Sequence, residues 1–314
     1  MHNTEWFIFA GVALGLLAVD LLIMNRKAHV LSIREASRWS AVVVATALAF
    51  GGVVWWRSGS TSALEYYAGY IVELSLSVDN LFVFILIFEY FSVPAIAHSK
   101  VLNWGIFGAA IMRGIMVVVG TVVLGRFEWL FVLLGVVLLF TAAKMFRDDE
   151  ERIEPERNPL VRLARRMIPM SGSYDGGKFF TRTSAGLLAT PLVLVVLVIE
   201  WTDVIFAIDS IPAIFSITRD PFIVYTSNIF AILGLRAMFF VLADAIGRFR
   251  YLKPGVGVIL AFVGVKMVLS QWFHPPVAVS LVFIVAVLAG SILMSLYHLK
   301  KHPPSELPSE GPTG

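Results

Sequence analysis

The sequence contains no cysteine among its 314 residues. This absence excludes a disulfide-stabilised fold, a thiolate metal site and a cysteine nucleophile. Charge is also scarce, because only 15% of the residues are Asp, Glu, Lys or Arg, against about a quarter in ordinary soluble domains. The phosphate-binding pattern GxxxxGK[ST] is missing too, so direct use of a nucleoside triphosphate is not expected.

Apolar residues take the place of the missing charge. They make up 58% of the chain, and the mean hydropathy is +0.82. A soluble fold of this length does not need so much apolar surface, so the sequence predicts an all-α membrane protein. A span needs about 20 mostly apolar residues. Nine segments meet that rule: Trp6–Met24, Trp39–Trp56, Gly69–Phe91, Asn103–Leu124, Trp129–Phe146, Leu192–Ile217, Phe222–Ala243, Pro254–Trp272 and Val277–Tyr297.

Lysine and arginine positions predict the orientation. The N-terminal MHNTE lacks the basic stretch of a signal peptide, so we expect the first span to be retained. With the N-terminus outside, the inner segments hold eighteen basic residues and the outer segments hold three, Arg57, Arg126 and Arg219. By the positive-inside rule, the N-terminus is outside and the C-terminus is cytoplasmic.

The spans group into a membrane domain over residues 1–302 and a tail. The only long loop, residues 147–185, is acidic and then basic, and we expect a solvated cytoplasmic hairpin with one surface helix. Residues 303–314 are rich in Pro, Ser, Glu and Gly, a composition typical of disorder.

The sequence contains an internal repeat, in which three consecutive spans resemble the next three. ELSLSVDN (Glu73–Asn80) aligns with DVIFAIDS (Asp203–Ser210) at an offset of 130 residues. The following spans pair Arg113 with Arg236 and Lys144 with Lys266, at offsets of 123 and 122. Spans 3–5 (repeat A, residues 64–146) therefore repeat as spans 6–8 (repeat B, residues 186–272), in opposite orientations. Inverted repeats are a recurring design of transporters, whereas the alternative is a chance alignment of apolar segments.

The spans contain charges that are costly in hydrocarbon. A carboxylate at bilayer depth costs roughly 2.5–3.5 kcal/mol on the mildest scale. Five acidic residues lie away from the ends of spans three and six: Glu73, Asp79, Glu200, Asp203 and Asp209. Only Arg113 and Arg236 oppose them near the centres of spans four and seven. Ion pairing therefore leaves three negative charges, which requires protonation or a bound cation.

The symmetry-related Asp79 and Asp209 carry most of the predicted ion site. The full candidate set is Glu73, Asp79, Asn80, Glu200, Asp203, Asp209, Ser210 and Asn228 as metal ligands, with Arg113 and Arg236 as counter-charges. Two alternatives stay open at this stage. Glu73 and Asp203 can simply pair with Arg113 and Arg236. Asn228 can be an interhelical hydrogen-bond partner instead of a ligand.

Helical geometry adds a constraint. On a straight helix Glu73 and Asn80 share a face, whereas Asp79 lies about 120° away. One ion can reach all these ligands only if a helix is broken. Pro212 lacks a backbone donor and crowds the Ile208 carbonyl, so we predict that span six is unwound there.

Carboxylate, amide and hydroxyl oxygens favour Mg²⁺, Ca²⁺ or Mn²⁺ over Zn²⁺ or Cu⁺. Three uncompensated negative charges suit a divalent cation. In one version of the hypothesis, this cation is exchanged for protons that bind the same carboxylates. No prosthetic group and no nucleic-acid partner are expected, and the oligomeric state is left open.

The strings ELSLSVDNLFVF, EWTDVIFAIDSIPAIF and DPFIVYTSNIFAILGLRAMFF resemble the TerC family of bacterial integral membrane proteins, in its Alx-like branch. The family was named for tellurium resistance, and several members are regarded as manganese exporters. The resemblance implies efflux of Mn²⁺ across the bacterial inner membrane, with Glu73, Asp79, Asn80, Glu200, Asp203 and Asp209 at the acidic motif positions.

Three functional hypotheses remain. The first is a secondary transporter that exports divalent cations by alternating access of the two repeats. The second keeps the fold but has the arginines bind an oxyanion such as tellurite, which the excess of acids disfavours. The third is a non-transporting scaffold whose buried ion pairs only fix helix packing. An enzyme is not expected, because the sequence contains no recognisable combination of a catalytic nucleophile and a general base.

Overall fold

The computed structural model describes residues 3–20, 32–127, 129–146, 159–183, 186–245, 251–269, 272 and 276–301. Within these ranges the backbone is described at Asp79, Asp209 and Arg236, whereas their side chains lie outside the description.

The described chain is built almost entirely from helices, as expected where a bilayer offers no water to backbone groups. The elements in chain order are α1 (Asn3–Val19), α2 (Ile33–Tyr90), α3 (Ala95–Arg126), α4 (Trp129–Met145), α5 (Pro159–Met167), β1 (Phe180–Thr183), β2 (Gly186–Ala189), α6 (Pro191–Phe215), α7 (Pro221–Ala245), α8 (Leu252–Val268) and α9 (Val277–Lys301). Among the described residues, four helices are long and apolar enough to cross a membrane, and four shorter apolar helices accompany them. The chain is therefore a helical membrane protein.

Helix α2 is a hairpin of two helical arms. Gly59 has φ +89°, a conformation that costs glycine little, and interrupts the helix. The hydroxyl of Tyr66 donates a hydrogen bond to the carbonyl of Ala47 at 3.0 Å, although a straight helix would separate these residues by about 28 Å. The chain therefore reverses at Gly59, and the second and third predicted spans lie in the arms α2a (residues 33–58) and α2b (residues 60–90).

The loop between the predicted repeats is more structured than the sequence indicates. The amphipathic α5 provides the one expected helix, but β1 and β2 form an antiparallel pair with Phe180 opposite Ala189. The all-α prediction is wrong at this hairpin. The loop is also held against the helices, because the Tyr174 hydroxyl donates to the Phe91 carbonyl at 2.5 Å and Lys100 Nζ donates to the Gly177 carbonyl at 2.7 Å. The predicted disordered tail, residues 303–314, lies outside the described residues.

The predicted break at Pro212 is also wrong. Helix α6 continues through Pro212 to Phe215. Pro212 lies only one turn before the end of the helix, and the Ser216 amide donates to its carbonyl at 3.0 Å. The proline therefore removes a single hydrogen bond near the terminus.

Four helices pack around the middle of the molecule. Arm α2b contacts α6 and α7, and α3 contacts the same two helices, while α4 pairs with α8. The outer face of α3 exposes a stripe of large apolar side chains: Phe107, Ile111, Ile115, Val118 and Val122. Such a stripe on a membrane protein faces lipid.

Helices α4 and α8 approach closely at two glycines. A Cβ added at Gly264 would lie 2.9 Å from the Gly135 carbonyl oxygen, and a Cβ at Gly135 would lie 3.0 Å from the Gly264 carbonyl oxygen. Small residues allow this close backbone approach between membrane helices.

Replacing Gly264 by alanine should force α4 and α8 apart and destabilise the protein by about 1–3 kcal/mol. Gly290→Ala on α9 is the matched control, because a Cβ there meets nothing within 4 Å; its change should stay within roughly 0.5 kcal/mol. The measurement is the midpoint of thermal unfolding in detergent micelles. Equal midpoints for the two variants would contradict the close packing.

Candidate functional site

A fully buried arginine lies where α2b, α3, α6 and α7 meet. Arg113 projects from α3 and is only 1% exposed. A guanidinium cannot be deprotonated in a protein and carries five N–H donors. Its burial is therefore tolerated only if neighbouring helices supply acceptors and negative charge.

The acceptors come from the three neighbouring helices. Arg113 Nη1 donates to Glu73 Oε1 on α2b and, at 3.1 Å, to Asn228 Oδ1 on α7. The guanidinium also reaches both carboxylate oxygens of Asp203 on α6, with Nη2 to Oδ1 at 3.3 Å and Nε to Oδ2 at 3.4 Å. The Ser210 hydroxyl accepts a further bond from Nη1 at 3.4 Å. One side chain thus ties four helices together; we call these five residues the Arg113 cluster.

The helical repeat explains how α6 supplies two partners. Asp203 and Ser210 are seven residues apart, or two turns, so both face α3. Helix α7 contributes a polar run, Thr226 to Asn228, that is fully buried. Thr226 donates its hydroxyl hydrogen to the Phe222 carbonyl at 2.8 Å. The run therefore stays compatible with a helix while presenting the Asn228 amide to the cluster.

Several buried polar atoms in the Arg113 cluster and next to it lack partners. Among the described residues, Glu73 Oε2, Ser77 Oγ and Asn228 Nδ2 are buried without a hydrogen bond. Leaving such an atom unsatisfied costs about 1–3 kcal/mol. Glu73 and Ser77 lie four residues apart on one face of α2b. Their unpartnered oxygens are the kind of donor that a hard cation takes.

Glu200 lies at the edge of this arrangement. It precedes Asp203 by one turn on α6, is half-buried, and packs its carboxylate against α3 where Gly108 leaves no side chain. Any side chain at Gly108 would displace that carboxylate. The approach of Glu200 to α3 thus depends on a glycine.

The structure brings five predicted residues together in the Arg113 cluster. Asn80 is buried on the same helical face as Glu73, two turns along α2b. The side chains of Asp79, Asp209 and Arg236 lie outside the description, so their predicted roles stay predictions. Within the described part of the chain, no three acidic or histidine side chains converge as a metal-binding group.

Sequence reasoning missed two features. Ser77 was not selected, although its position one turn after Glu73 was the available signal. The sequence also permitted a symmetric pairing of each acid with its own arginine, whereas both Glu73 and Asp203 contact Arg113. Counting formal charges, the cluster carries one excess negative charge.

Comparisons with known proteins agree on the kind of molecule. The family model described as integral membrane protein TerC family matches residues 58–302. An uncharacterized membrane protein of Myxococcus xanthus is 46% identical over 96% of this chain and 94% of its own length. A protein of Escherichia coli, named provisionally as the membrane-bound redox modulator Alx, is 43% identical over 95% of both chains. The chloroplastic thylakoid membrane protein TERC of Arabidopsis thaliana is 46% identical over 82% of this chain and 67% of its own. No solved structure matches significantly.

Removing the guanidinium should be strongly destabilising. In Arg113→Met the carboxylates of Glu73 and Asp203 would stay buried without a counter-charge, a loss of about 3–5 kcal/mol. The triple variant that adds Glu73→Gln and Asp203→Asn should recover most of that stability, because no buried charge is left unpaired.

The control is Arg57→Gln. Arg57 is partly exposed and lies 3.9 Å from Glu5, so its loss should cost no more than about 1 kcal/mol. Size-exclusion profiles and thermal unfolding in detergent measure all three variants. A stable, monodisperse Arg113→Met protein would show that the cluster does not hold the helices together.

Proposed function

Because this chain belongs to the TerC family of integral membrane proteins, we propose that it is a secondary transporter that exports divalent cations, Mn²⁺ foremost, from the cytoplasm. The single observation that carries the proposal is the Arg113 cluster, in which, among the side chains that the structure describes, buried carboxylates from two helices share one guanidinium. Buried acids of this kind mark ion pathways in membrane proteins.

The chemistry of the cluster favours a hard cation as cargo. Glu73, Asp203, Ser210 and Asn228 offer carboxylate, hydroxyl and amide oxygens, the ligands that Mn²⁺ and Mg²⁺ prefer. Asp79 and Asp209 add two further acids in the same helices. The cargo competes with the guanidinium for the carboxylates, and protons on the same acids are the proposed exchange ion.

The proposed topology has nine spans with the N-terminus outside and the C-terminus in the cytoplasm of a bacterial inner membrane. The hairpin at Gly59 supports two spans within α2, and α1, α3, α4 and α6–α9 supply the rest. Most basic residues then lie on the cytoplasmic side.

Reciprocal helix contacts support the proposed inverted repeat. A Cβ at Gly135 would lie 2.8 Å from Met267 Cβ, and a Cβ at Gly257 would lie 3.4 Å from Met145 Cβ. Adding the offset of 122 residues turns Gly135 into Gly257 and Met145 into Met267, so the two contacts are equivalent with the roles of the repeats exchanged. Such an exchange is what a two-fold axis between α4 and α8 produces.

A second pair of contacts follows the same relation. A Cβ at Gly69 would lie 2.9 Å from the Ser227 hydroxyl, and a Cβ at Gly105 would lie 3.1 Å from the Ile199 side chain. The offset of 130 residues aligns Gly69 with Ile199. The offset of 123 residues aligns Gly105 with Asn228, which directly follows Ser227. The interface between the proposed repeats thus packs in a paired manner, α2b against α7 and α3 against α6.

Alternating access follows from this arrangement. Arg113 belongs to repeat A, and it contacts Glu73 of its own repeat and Asp203, Ser210 and Asn228 of repeat B. Cargo that binds the carboxylates weakens the guanidinium bridge between the repeats. Rocking of one repeat against the other then opens the site to the opposite side, as in other inverted-repeat transporters.

The other hypotheses explain less. An oxyanion site needs free arginine donors, yet the described donors of Arg113 point at carboxylates and neutral oxygens. A scaffold explains the ion pairs but not the excess acids. The name of the Escherichia coli relative mentions a redox role. This chain could not perform such a role through thiol chemistry, because it has no cysteine.

Cells expressing this protein should accumulate less Mn²⁺ than cells without it. Asp79→Asn and Asp209→Asn should each abolish that reduction, since each removes one proposed ligand charge while nearly preserving side-chain size. The measurement is cellular Mn²⁺ at membrane levels matched by blotting. Asp175→Asn in the loop is the control and should behave as wild type, because the Asp175 carboxylate accepts hydrogen bonds from Lys178 and Thr181 of the same loop. Unchanged Mn²⁺ in all four strains would reject manganese export.

The absence of cysteine makes the topology directly testable. Thr4→Cys should react in intact cells with a thiol reagent that cannot cross membranes, whereas Ser305→Cys should react only after the membrane is opened. Reaction of both residues in intact cells, or of neither, would overturn the proposed orientation.

A further inference from the structure

The loop that precedes α6 is attached to the start of that helix. Thr190, the N-cap residue of α6, donates its amide hydrogen to the Phe179 carbonyl at 2.8 Å and its hydroxyl hydrogen to the Lys178 carbonyl at 2.7 Å. We call residues 169–183 and 186–190 the loop unit. These bonds fix the loop unit to α6, which is the first helix of proposed repeat B.

The loop unit also contacts proposed repeat A, at the turn between α2b and α3. The Tyr174 hydroxyl donates to the Phe91 carbonyl at 2.5 Å, and Lys100 Nζ donates to the Gly177 carbonyl at 2.7 Å. The same ammonium lies 5.2 Å from the centre of the Phe179 ring. The loop unit therefore bridges the two proposed repeats, on the cytoplasmic side in the topology proposed above.

An apolar layer lies between the loop unit and the Arg113 cluster. Each of the four helices around the cluster contributes one buried side chain to it: Phe84, Leu102, Ile199 and Leu235. Met170, Tyr174 and Phe179 of the loop unit pack against the hydrophobic cluster that contains this layer. On its other side, the layer lines a small cavity that Arg113 and Asp203 also border.

The layer closes the cytoplasmic route to the cluster. On each of the four helices, its side chain lies between the residue that belongs to the cluster and the cytoplasmic end of the proposed span. A hydrated cation does not cross packed hydrocarbon, because it would lose its water without gaining ligands. Cargo from the cytoplasm can therefore reach the carboxylates only after the four helices separate at this layer.

We infer that the loop unit is a latch that holds the cytoplasmic gate of the proposed transporter closed. Since it is fixed to α6 of repeat B, separation of the repeats on this side must pull it away from Phe91 and Lys100 of repeat A. The two hydrogen bonds across the latch then break, and the layer opens. The inference rests on the proposed alternating access.

The bonds across the latch suit reversible opening. Both run from a side chain to a backbone carbonyl, and the one from Lys100 is exposed. Water can satisfy the same groups once they part, so the net cost of breaking each bond is small. Thr190, by contrast, is fully buried, and the attachment to α6 persists while the latch opens.

Cross-linking across the latch tests the inference. A Cβ added at Gly177 would lie 4.0 Å from Lys100 Cδ, so Lys100→Cys and Gly177→Cys together come within reach of a short bifunctional thiol reagent that a reductant cleaves. In inside-out vesicles, export is measured as Mn²⁺ uptake. Cross-linking should lower the initial rate by at least about tenfold, because the population of the open state falls with it. The reductant should restore the rate.

The matched control is a cross-link that stays within the hairpin. Arg182→Cys and Leu187→Cys lie directly opposite each other on β1 and β2, and this pair does not join the two repeats. Its uptake should be the same before and after cross-linking. Full uptake by the cross-linked Lys100 and Gly177 pair would overturn the latch.

A second measurement does not depend on the cargo. Ala109 lines the small cavity beside Arg113, and Ala109→Cys places a single thiol there, since the chain has no cysteine. Combining it with Tyr174→Phe and Lys100→Gln should speed labelling by a charged thiol reagent from the cytoplasmic side about tenfold, because the bonds across the latch are missing. Thr183→Val removes a hydroxyl bond that stays within the hairpin and should leave the labelling rate unchanged.

The latch and the transporter fail in different ways. Wild-type vesicles that take up no Mn²⁺ would reject manganese export, and the labelling rates would then decide on the latch alone. Mn²⁺ uptake that persists in the cross-linked protein, or labelling that the two latch substitutions do not accelerate, would reject the latch and leave the transporter standing.

Discussion

The burial of one guanidinium dictates the centre of this molecule. A charge that cannot be neutralised by deprotonation must find its acceptors inside the protein, and no single neighbouring helix provides enough of them. Helices α2b, α6 and α7 each bring a carboxylate, hydroxyl or amide to Arg113. Three helices can reach one side chain on α3 only if they approach closely. Gly69, Gly105 and Gly108 lie at these close approaches, where an added Cβ would meet a side chain of the neighbouring helix.

Much of the fold was predictable because it follows from hydropathy. Each predicted span falls largely on a helix, since a backbone in lipid has almost no other choice. The hairpin at Gly59 is local and consistent with two spans separated by a polar stretch. The strands β1 and β2 were missed because four-residue strands carry too little alternation to detect. Pro212 was misjudged because the effect of a proline depends on its distance from the helix end, which composition does not reveal.

The site was predictable in its members but not in its pairing. Charged residues inside apolar spans are recognisable from the sequence as candidate site residues. The seven-residue spacing of Asp203 and Ser210 places both on one helical face, and both contact Arg113. Which acid meets which arginine depends on the rotation and tilt of whole helices, and those are set by packing. The proposed repeat aligns Arg113 with Arg236, yet Glu73 and Asp203 both contact Arg113. Two acids at matching positions of the proposed repeats therefore share one arginine.

This shared arginine divides the acids of the proposed transporter into two groups. Glu73 and Asp203 already share a counter-charge, so their first role is to hold α2b and α6 against α3. Asp79 and Asp209 each follow by six residues, which places their helical positions about 120° around the axis from those acids. Because both helices continue unbroken through these positions, one small ion cannot collect all four carboxylates at once. The acids facing Arg113 thus form the joint between the repeats for which the proposed cargo competes, whereas Asp79 and Asp209 take up other positions around the same helix axes.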